Sequence, residues 1–153
     1  MSHTDQAHAA ESPNRPAPAG RPGPGTLRFS DADPDLPISS CFELDKALRA
    51  AELRCVSGQP IIVSLFAHGH QLQIGLGRPD SFVSFQRRGG VPVPGSIAIG
   101  DPQANRRTAF FFAGMLRTQI PARNLLPATK ARQILREFYN TGNRSTTVEW
   151  EPF

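Results

Sequence analysis

The alternation of apolar and polar positions predicts a run of strands in the middle of the chain. Residues 61–66 form a continuous apolar segment of the length typical of a buried strand, and residues 71–76 alternate apolar side chains with polar ones or glycine. Residues 67–70 lie between these segments and are typical of a hairpin turn, where Gly69 can supply a positive φ. The same reasoning predicts shorter strands at residues 26–29, 81–85, 96–100, 108–115, 117–120 and 145–150.

One of these predicted strands differs from the others because it contains three consecutive phenylalanines. Phe110, Phe111 and Phe112 place large apolar side chains on both faces of the strand, since neighbouring residues of a strand point in opposite directions. Two apolar faces are typical of a strand in the middle of a covered sheet. We therefore expect residues 108–115 to form a central strand that is buried on both faces.

Two segments have the periodicity of amphipathic helices. In the first, Ser40 and Glu43 have the spacing of a capping box, and the helix is expected to end at residues 54–57. Its apolar face consists of Leu44, Ala47, Leu48 and Ala51. In the second, Pro127 suits the first turn, and Gly142 stands where a helix commonly ends in a left-handed residue. The apolar face of this second helix consists of Ala131, Ile134, Leu135 and Phe138.

The order of these elements predicts the fold class. A helix is followed by several strands, a second helix and a last strand, and short loops rather than crossover helices join the strands. This order indicates an α+β fold, with an antiparallel sheet and about two helices packed on one face, in a single domain at residues 27–153. Residues 1–26 are rich in proline and glycine and carry almost no large apolar side chain, so we expect them to form a disordered tail.

Charge is distributed unevenly along the chain. The formal net charge is +4, yet residues 78–144 hold 11 basic and 3 acidic side chains, while the segments before and after them are each weakly acidic. A basic region predicts attraction to an acidic partner, although a solvated arginine-rich surface explains the pattern equally well. Paired arginines in predicted loops are the candidate contact residues, namely Arg87, Arg88, Arg106 and Arg107.

Residues that could carry catalysis or bind a metal are sparse. His68 and His70 lie in a predicted turn and do not by themselves make a metal site, so we predict none. Cys41, near the start of the first helix, is the strongest nucleophile candidate, but a buried thiol is the commoner role for such a cysteine. The predicted central strands carry almost no carboxylates, so no acid–base pair is expected. We therefore predict that the chain has no catalytic residues, needs no cofactor and is not an enzyme.

The sequence also predicts where the protein acts. No apolar run reaches the roughly 18 residues that a membrane-spanning helix needs. The N-terminal segment lacks the apolar central region of a signal peptide. These observations favour a cytoplasmic protein that does not contact a membrane.

The C-terminal third of the chain carries four short motifs in a fixed order. They are IPAR at residues 120–123, ARQILREF at 131–138, TGNR at 141–144 and VEWE at 148–151. Together they resemble the closing signature of the first-numbered family of immunity proteins in bacterial polymorphic toxin systems. The upstream order of a helix, an apolar strand and a Leu-x-Ile-Gly-Leu-Gly segment is also similar to this family. The resemblance covers residues 40–153 in the order of elements and 120–151 in motif residues.

The resemblance implies a function in protein binding. Members of the family are thought to bind the toxin domain encoded beside them, often a nucleic-acid deaminase or a nuclease, and to block it before export. A stoichiometric complex with a cognate toxin domain is therefore the expected activity. The paired loop arginines and Trp150, the only tryptophan, are our candidates for contact with this partner. From its residue type alone, Trp150 is either a core residue or an interface anchor, with the core favoured.

A small basic protein that binds nucleic acid is the alternative hypothesis. In that case Phe82 and Phe85 would stack on the bases of a single strand, beside the paired arginines. Against this hypothesis, the sequence contains no recognisable RNA-binding motif, and the phenylalanine run belongs to the strand predicted to be most buried. Direct contact with nucleic acid is therefore the less favoured hypothesis.

Overall fold

The computed structural model describes residues 24–29, 33–55, 59–88, 95–104 and 108–153. Of the predicted tail at 1–26, the first 23 residues lie outside the described residues, and Gly25 already belongs to the first strand. The glycines and prolines of residues 89–95 predict a loop. Residues 89–94 of this segment also lie outside the described residues.

The described residues form eleven strands, two α-helices and a short 3-10 helix. In chain order these elements are β1 (Gly25–Arg28), β2 (Leu36–Ile38), α1 (Cys41–Leu53), β3 (Ile61–Ala67), β4 (His70–Leu76), β5 (Asp80–Ser81), β6 (Val83–Arg87), β7 (Ser96–Ile99), β8 (Ala109–Ala113), β9 (Leu116–Ile120), the 3-10 helix (Ala122–Asn124), β10 (Leu126–Pro127), α2 (Ala128–Thr141) and β11 (Glu149–Pro152). Neither described α-helix has the length and apolar character needed to cross a lipid bilayer.

Most strands belong to one antiparallel sheet. Within this sheet, adjacent strands follow the order β11-β7-β6-β4-β3-β1-β2, and each adjacent pair in this order is antiparallel. The β8–β9 hairpin joins β3 in the parallel direction, through the pair Ile61 and Phe112. The short strands β5 and β10 pair only with each other. The predicted α+β fold, an antiparallel sheet with two helices, is therefore confirmed.

The larger core lies between the helices and one face of the sheet. Alternate residues of β3 and β4, such as Leu65 and Leu72, point to this face and are fully buried, as the period of a strand requires. The buried side of α2 contributes Phe138, whose ring meets that of Phe85 edge-on at a centroid distance of 5.9 Å. Both helices therefore pack on the same face of the sheet.

The ends of the helices follow the predicted signals. At the start of α1, the backbone N–H of Glu43 donates to the Ser40 hydroxyl at 3.1 Å. The Glu43 carboxylate accepts hydrogen bonds from the N–H and the hydroxyl of Ser39, both at 2.8 Å, which places the reciprocal half of the capping box one residue earlier than usual. At the end of α2, Gly142 has a φ of 79°, and its N–H donates to the Phe138 carbonyl at 2.7 Å.

Replacing Gly142 with alanine is expected to lower the free energy of unfolding by about 1–3 kcal/mol. Besides the positive φ, a Cβ here would lie 2.8 Å from Cγ and 2.9 Å from Cβ of His68. Urea unfolding measures the loss. Gly69→Ala is the matched control, because Gly69 has a φ of 76° but a methyl group added there would have no atom within 4 Å. A loss no larger than that of the control would contradict steric contact with His68.

The structure corrects the prediction for the phenylalanine run. Phe111 is fully buried, but Phe110 is 36% exposed and Phe112 is half-buried, so residues 108–115 are not a central strand covered on both faces. The reason is the pairing of β8: it meets the main sheet at one residue pair among the described residues, and β9 occupies its other edge. Only Phe111 therefore points into a core.

That core is a second, smaller one on the helix-free face of the sheet. The ring of Phe111 packs edge-on against Phe82 at a centroid distance of 5.1 Å and lies directly over Gly75. Its other buried members are Ile62, Ile97, Ala109 and Ile120. The β8–β9 hairpin is thus held on the face opposite to the helices mainly by this apolar contact.

Candidate partner-binding surface

A pocket opens at one edge of the sheet, where the turn after α2 meets β6, β7 and β11. It has a volume of about 430 Å³. We call it the arginine pocket, and its lining residues are Phe85, Arg87, Gly95, Ser96, Arg144, Trp150, Glu151 and Pro152. Three distant segments of the sequence therefore meet at this position.

Arg144 lies at the centre of the contacts in this pocket. Because α2 stops at Gly142, the chain turns back and carries Arg144 over the edge of the sheet. Its guanidinium carbon is 5.9 Å from the centroid of the Phe85 ring and 5.6 Å from that of Trp150. Its Nη1 donates a hydrogen bond to the Ser96 hydroxyl at 3.1 Å. Cation–π contacts and this hydrogen bond orient an otherwise exposed arginine.

Trp150 occupies the boundary between the pocket and the core. Its ring is half-buried and packs against the larger core, while it also lines the pocket. The indole N–H donates to the Ser145 carbonyl at 2.9 Å, so its polar atom is satisfied inside the protein. Both predicted roles of Trp150, core residue and contact residue, are therefore compatible with its position.

The structure separates Arg87 from Arg88, two of the four predicted arginines. Arg87 is exposed at the end of β6 and lines the arginine pocket together with Trp150. Arg88 lies elsewhere: its Nη1 donates to the Gln71 side-chain oxygen at 3.0 Å, and its guanidinium is 5.1 Å from the Phe66 ring centroid. Arg106 and Arg107 lie outside the described residues.

Sequence reasoning missed Arg144 as a site residue. Arg144 is the last residue of the TGNR motif, but nothing in the sequence indicates that it lines the same pocket as Arg87 and Trp150. The motif contains the signal, because its glycine ends α2 and thereby directs the arginine to the sheet edge.

The positive charge of this surface is not neutralised within the described part of the chain. No carboxylate there forms an ion pair with Arg87 or Arg144 of the pocket, or with Arg88 outside it, whereas five other arginines have such partners. These pairs are Arg28–Asp35, Arg78–Asp80, Arg123–Glu151, Arg132–Glu52 and Arg136–Asp45. Although Glu151 lines the pocket, its two carboxylate oxygens accept hydrogen bonds from Arg123 and Asn124, each at 2.8 Å. An anion entering the pocket would therefore meet unpaired guanidinium groups.

A second concave surface lies on the helix-free face, beneath the β8–β9 hairpin. It has a volume of about 430 Å³, and its lining includes the apolar side chains of Ile62, Phe82 and Ile97. Polar groups lie beside them, where the Ser84 hydroxyl donates to the Gln73 side-chain oxygen at 3.4 Å. The rim is apolar, since Leu116 is 74% and Phe153 62% exposed. This groove has no cluster of unpaired charges comparable to the arginine pocket.

The histidines and cysteines have structural partners. The Nε2–H of His68 donates to the Tyr139 carbonyl at 2.7 Å, near the end of α2. Burial, and next the charge of Arg87, lower the pKa of His70. Among the described residues, no three His, Cys, Asp or Glu side chains are grouped closely enough to hold a metal ion.

Within the described residues, the two cysteine thiols donate to amide oxygens, which cannot act as a base. The Cys41 thiol donates to the Asn140 side-chain oxygen at 3.3 Å, and an amide oxygen cannot take up its proton. Burial raises the pKa of the Cys55 thiol, which favours the unreactive protonated form. Both cysteines are free thiols.

The aromatic residues proposed to stack on nucleic-acid bases are buried. Phe82 is 3% and Phe85 8% exposed, so neither has the exposed ring that the nucleic-acid alternative requires. Phe82 points into the smaller core and Phe85 into the larger one.

Comparison with known proteins identifies the family of this chain. A comparison with curated proteins gives no match. The family model described as immunity protein Imm1 matches residues 32–152, which include both helices and every strand from β2 to β11. The match therefore covers well over half of the chain and includes the arginine pocket, and it confirms the resemblance drawn from the C-terminal motifs. The chain belongs to the Imm1 family of immunity proteins, which act against toxins.

Proposed function

We propose that this immunity protein neutralises a cognate toxin domain of a bacterial polymorphic toxin system by forming a stoichiometric complex with it in the cytoplasm. The toxin would be a nucleic-acid deaminase or a nuclease, and the complex would protect the producing cell. The observation that carries the proposal is the arginine pocket, in which unpaired arginines adjoin a half-buried tryptophan. Arginine and tryptophan are the residue types that dominate binding energy at protein interfaces.

The partner-binding residues of this proposal are Arg87, Arg88 and Trp150, together with Arg106 and Arg107, which lie outside the described residues. Trp150 would supply a rigid apolar contact, because its ring is already fixed by the core and by the bond to Ser145. The arginines would attract an acidic toxin surface and raise the rate of association. Inhibition then requires only occupation of the toxin surface, with no chemical step on the immunity protein.

The proposal is favoured over direct binding of nucleic acid. A single-strand binding surface needs aromatic ring faces that are open to bases, and Phe82 and Phe85 do not provide them. Basic charge alone would leave binding that is weak and strongly salt-dependent.

Co-expression with the toxin domain of the neighbouring gene tests the proposed function. We expect restored growth and a complex of defined stoichiometry, measured by light scattering. In this complex, the double charge reversal Arg87→Glu/Arg88→Glu should weaken affinity by about tenfold or more, mainly through slower association.

The matched control is Lys46→Glu/Arg49→Glu, which reverses two exposed charges on α1, away from the pocket. It should leave the affinity close to that of the wild type. A toxin that forms no complex with the full chain would refute the proposed function. A larger loss in the control than in the test variant would place the contact surface on α1 instead.

A further inference from the structure

We infer that the arginine pocket is a binding site for a carboxylate side chain, an aspartate or glutamate on the toxin surface, and that Arg144 is its principal anchor. This inference rests on the proposed function and adds to it the chemical class of the toxin group. The pocket volume of about 430 Å³ lies within the range of clefts that enclose ligands or side chains.

The orientation of Arg144 is the first reason. Its guanidinium lies over the rings of Phe85 and Trp150, and one nitrogen is held by Ser96. With one nitrogen bonded to Ser96, the other N–H groups of the guanidinium can still donate hydrogen bonds to a ligand. Such an edge matches the two oxygens of a carboxylate, which it can bind in a bidentate manner. Because the side chain is already oriented, little conformational entropy is lost on binding.

The charge balance of the pocket is the second reason. Arg87 lines the same pocket, and within the described ranges neither it nor Arg144 has an ion-pair partner. The nearby carboxylate of Glu151 is held by Arg123 and Asn124. The pocket thus brings together two cations and leaves both available to an incoming anion.

The coverage of the aromatic rings distinguishes a carboxylate from a nucleotide. Phe85 is 8% exposed, and the ring of Trp150 packs on the core and is approached by Arg144 at 5.6 Å. A nucleobase would need a free ring face for stacking, whereas a carboxylate needs only the edge of the guanidinium. An acidic protein segment therefore fits this pocket better than a nucleic-acid strand.

Titration with a capped oligoglutamate peptide tests this inference on the full chain. Trp150 is the only tryptophan, so its fluorescence reports directly on the pocket, and calorimetry gives affinities that do not depend on the probe. We expect saturable binding by the wild type that weakens with added salt. Arg144→Gln should bind the peptide about tenfold more weakly. Arg144→Lys keeps the positive charge but loses the planar guanidinium. Its affinity for the peptide should therefore lie between those of the wild type and Arg144→Gln.

Three further measurements complete the test. Arg49→Gln, an exposed arginine on α1, is the matched control and should bind like the wild type. Thermal unfolding of Arg144→Gln verifies that the variant is folded. An oligonucleotide of the same net charge as the peptide should bind more weakly than the peptide does.

The outcomes separate this inference from the proposed function. Oligoglutamate that fails to bind, or that binds Arg144→Gln as tightly as the wild type, would overturn the carboxylate site, even if a toxin complex forms through another surface. Tighter binding of the oligonucleotide would overturn it in favour of a nucleic-acid ligand. Failure to form any toxin complex would overturn the proposed function while leaving the binding chemistry of the pocket measurable.

Discussion

Replacing Phe138 with alanine should lower the free energy of unfolding by about 3–5 kcal/mol. The side chain is fully buried on the face of α2 that packs against the sheet. Its ring meets Phe85 edge-on at 5.9 Å and His68 at 6.1 Å, so truncation removes apolar burial and two aromatic contacts together. The loss is a large share of the total stability of a domain of this size.

Urea unfolding followed by circular dichroism measures this loss. Phe42→Ala is the matched control, because Phe42 is 75% exposed on the other helix and its truncation should cost less than about 1 kcal/mol. The fluorescence of Trp150, which packs against the same core, provides a second probe of the transition. Similar losses for the two variants would show that α2 is not fixed to the sheet by Phe138.

Replacing Gly75 with alanine should lower the free energy of unfolding by about 3 kcal/mol, which is the upper end of the usual loss when a core is overpacked. A Cβ at this position would lie 2.2 Å from Cε2 and 2.5 Å from Cδ2 of Phe111. The Phe111 ring has little room to move, since it is fully buried and packs against Phe82. The methyl group would therefore push the β8–β9 hairpin away from the sheet.

A double-mutant cycle with Phe111→Leu identifies the cause of this loss. If the added methyl group clashes with the Phe111 ring, Gly75→Ala should lower the free energy of unfolding clearly less in the Phe111→Leu background than in the wild type. Gly114→Ala is the control: its φ of 62° gives backbone strain, but no atom lies within 4 Å of the added methyl group. Equal costs of Gly75→Ala in the two backgrounds would exclude the proposed contact with Phe111.

The parts of the fold that the sequence predicted are those with local signals. The capping serine, the glycine that ends α2 and the His68–Gly69 turn each act within a few residues, and the structure contains all three. Both residues of that turn have positive φ, as a tight hairpin turn requires. Such signals can be read from the chain without knowing what packs against it.

The parts that sequence reasoning missed depend on distant pairing. The strand expected at 81–85 divides at Phe82, because β5 pairs with β10 more than 40 residues later, while β6 pairs with β4 and β7. The strand β2 was missed, and the last strand lies at Glu149–Pro152 rather than at 145–150. The placement of the phenylalanine run was wrong for the same reason, since composition cannot show which edge of a sheet a strand will join.

The candidate site also combines residues that the sequence indicates with a residue that only the three-dimensional arrangement reveals. Arginine pairs and a single tryptophan are visible in the sequence, so Arg87 and Trp150 are candidates even without knowledge of their proximity. Arg88 follows directly in the chain but lies against Phe66 and Gln71, away from the arginine pocket, because neighbouring residues point to opposite faces of a sheet. Arg144 required the three-dimensional arrangement, since its pocket is assembled from three separate segments.

The tip of the β8–β9 hairpin has a consequence for how this protein can vary. The hairpin tip carries Met115, which is 97% exposed, and Leu116, and neither side chain belongs to a buried core. Changes at these two positions alter the outer surface beside the groove at little cost in stability. The surface at this tip can therefore change shape by substitution, while the buried contacts of Phe111 in the smaller core keep the hairpin in place.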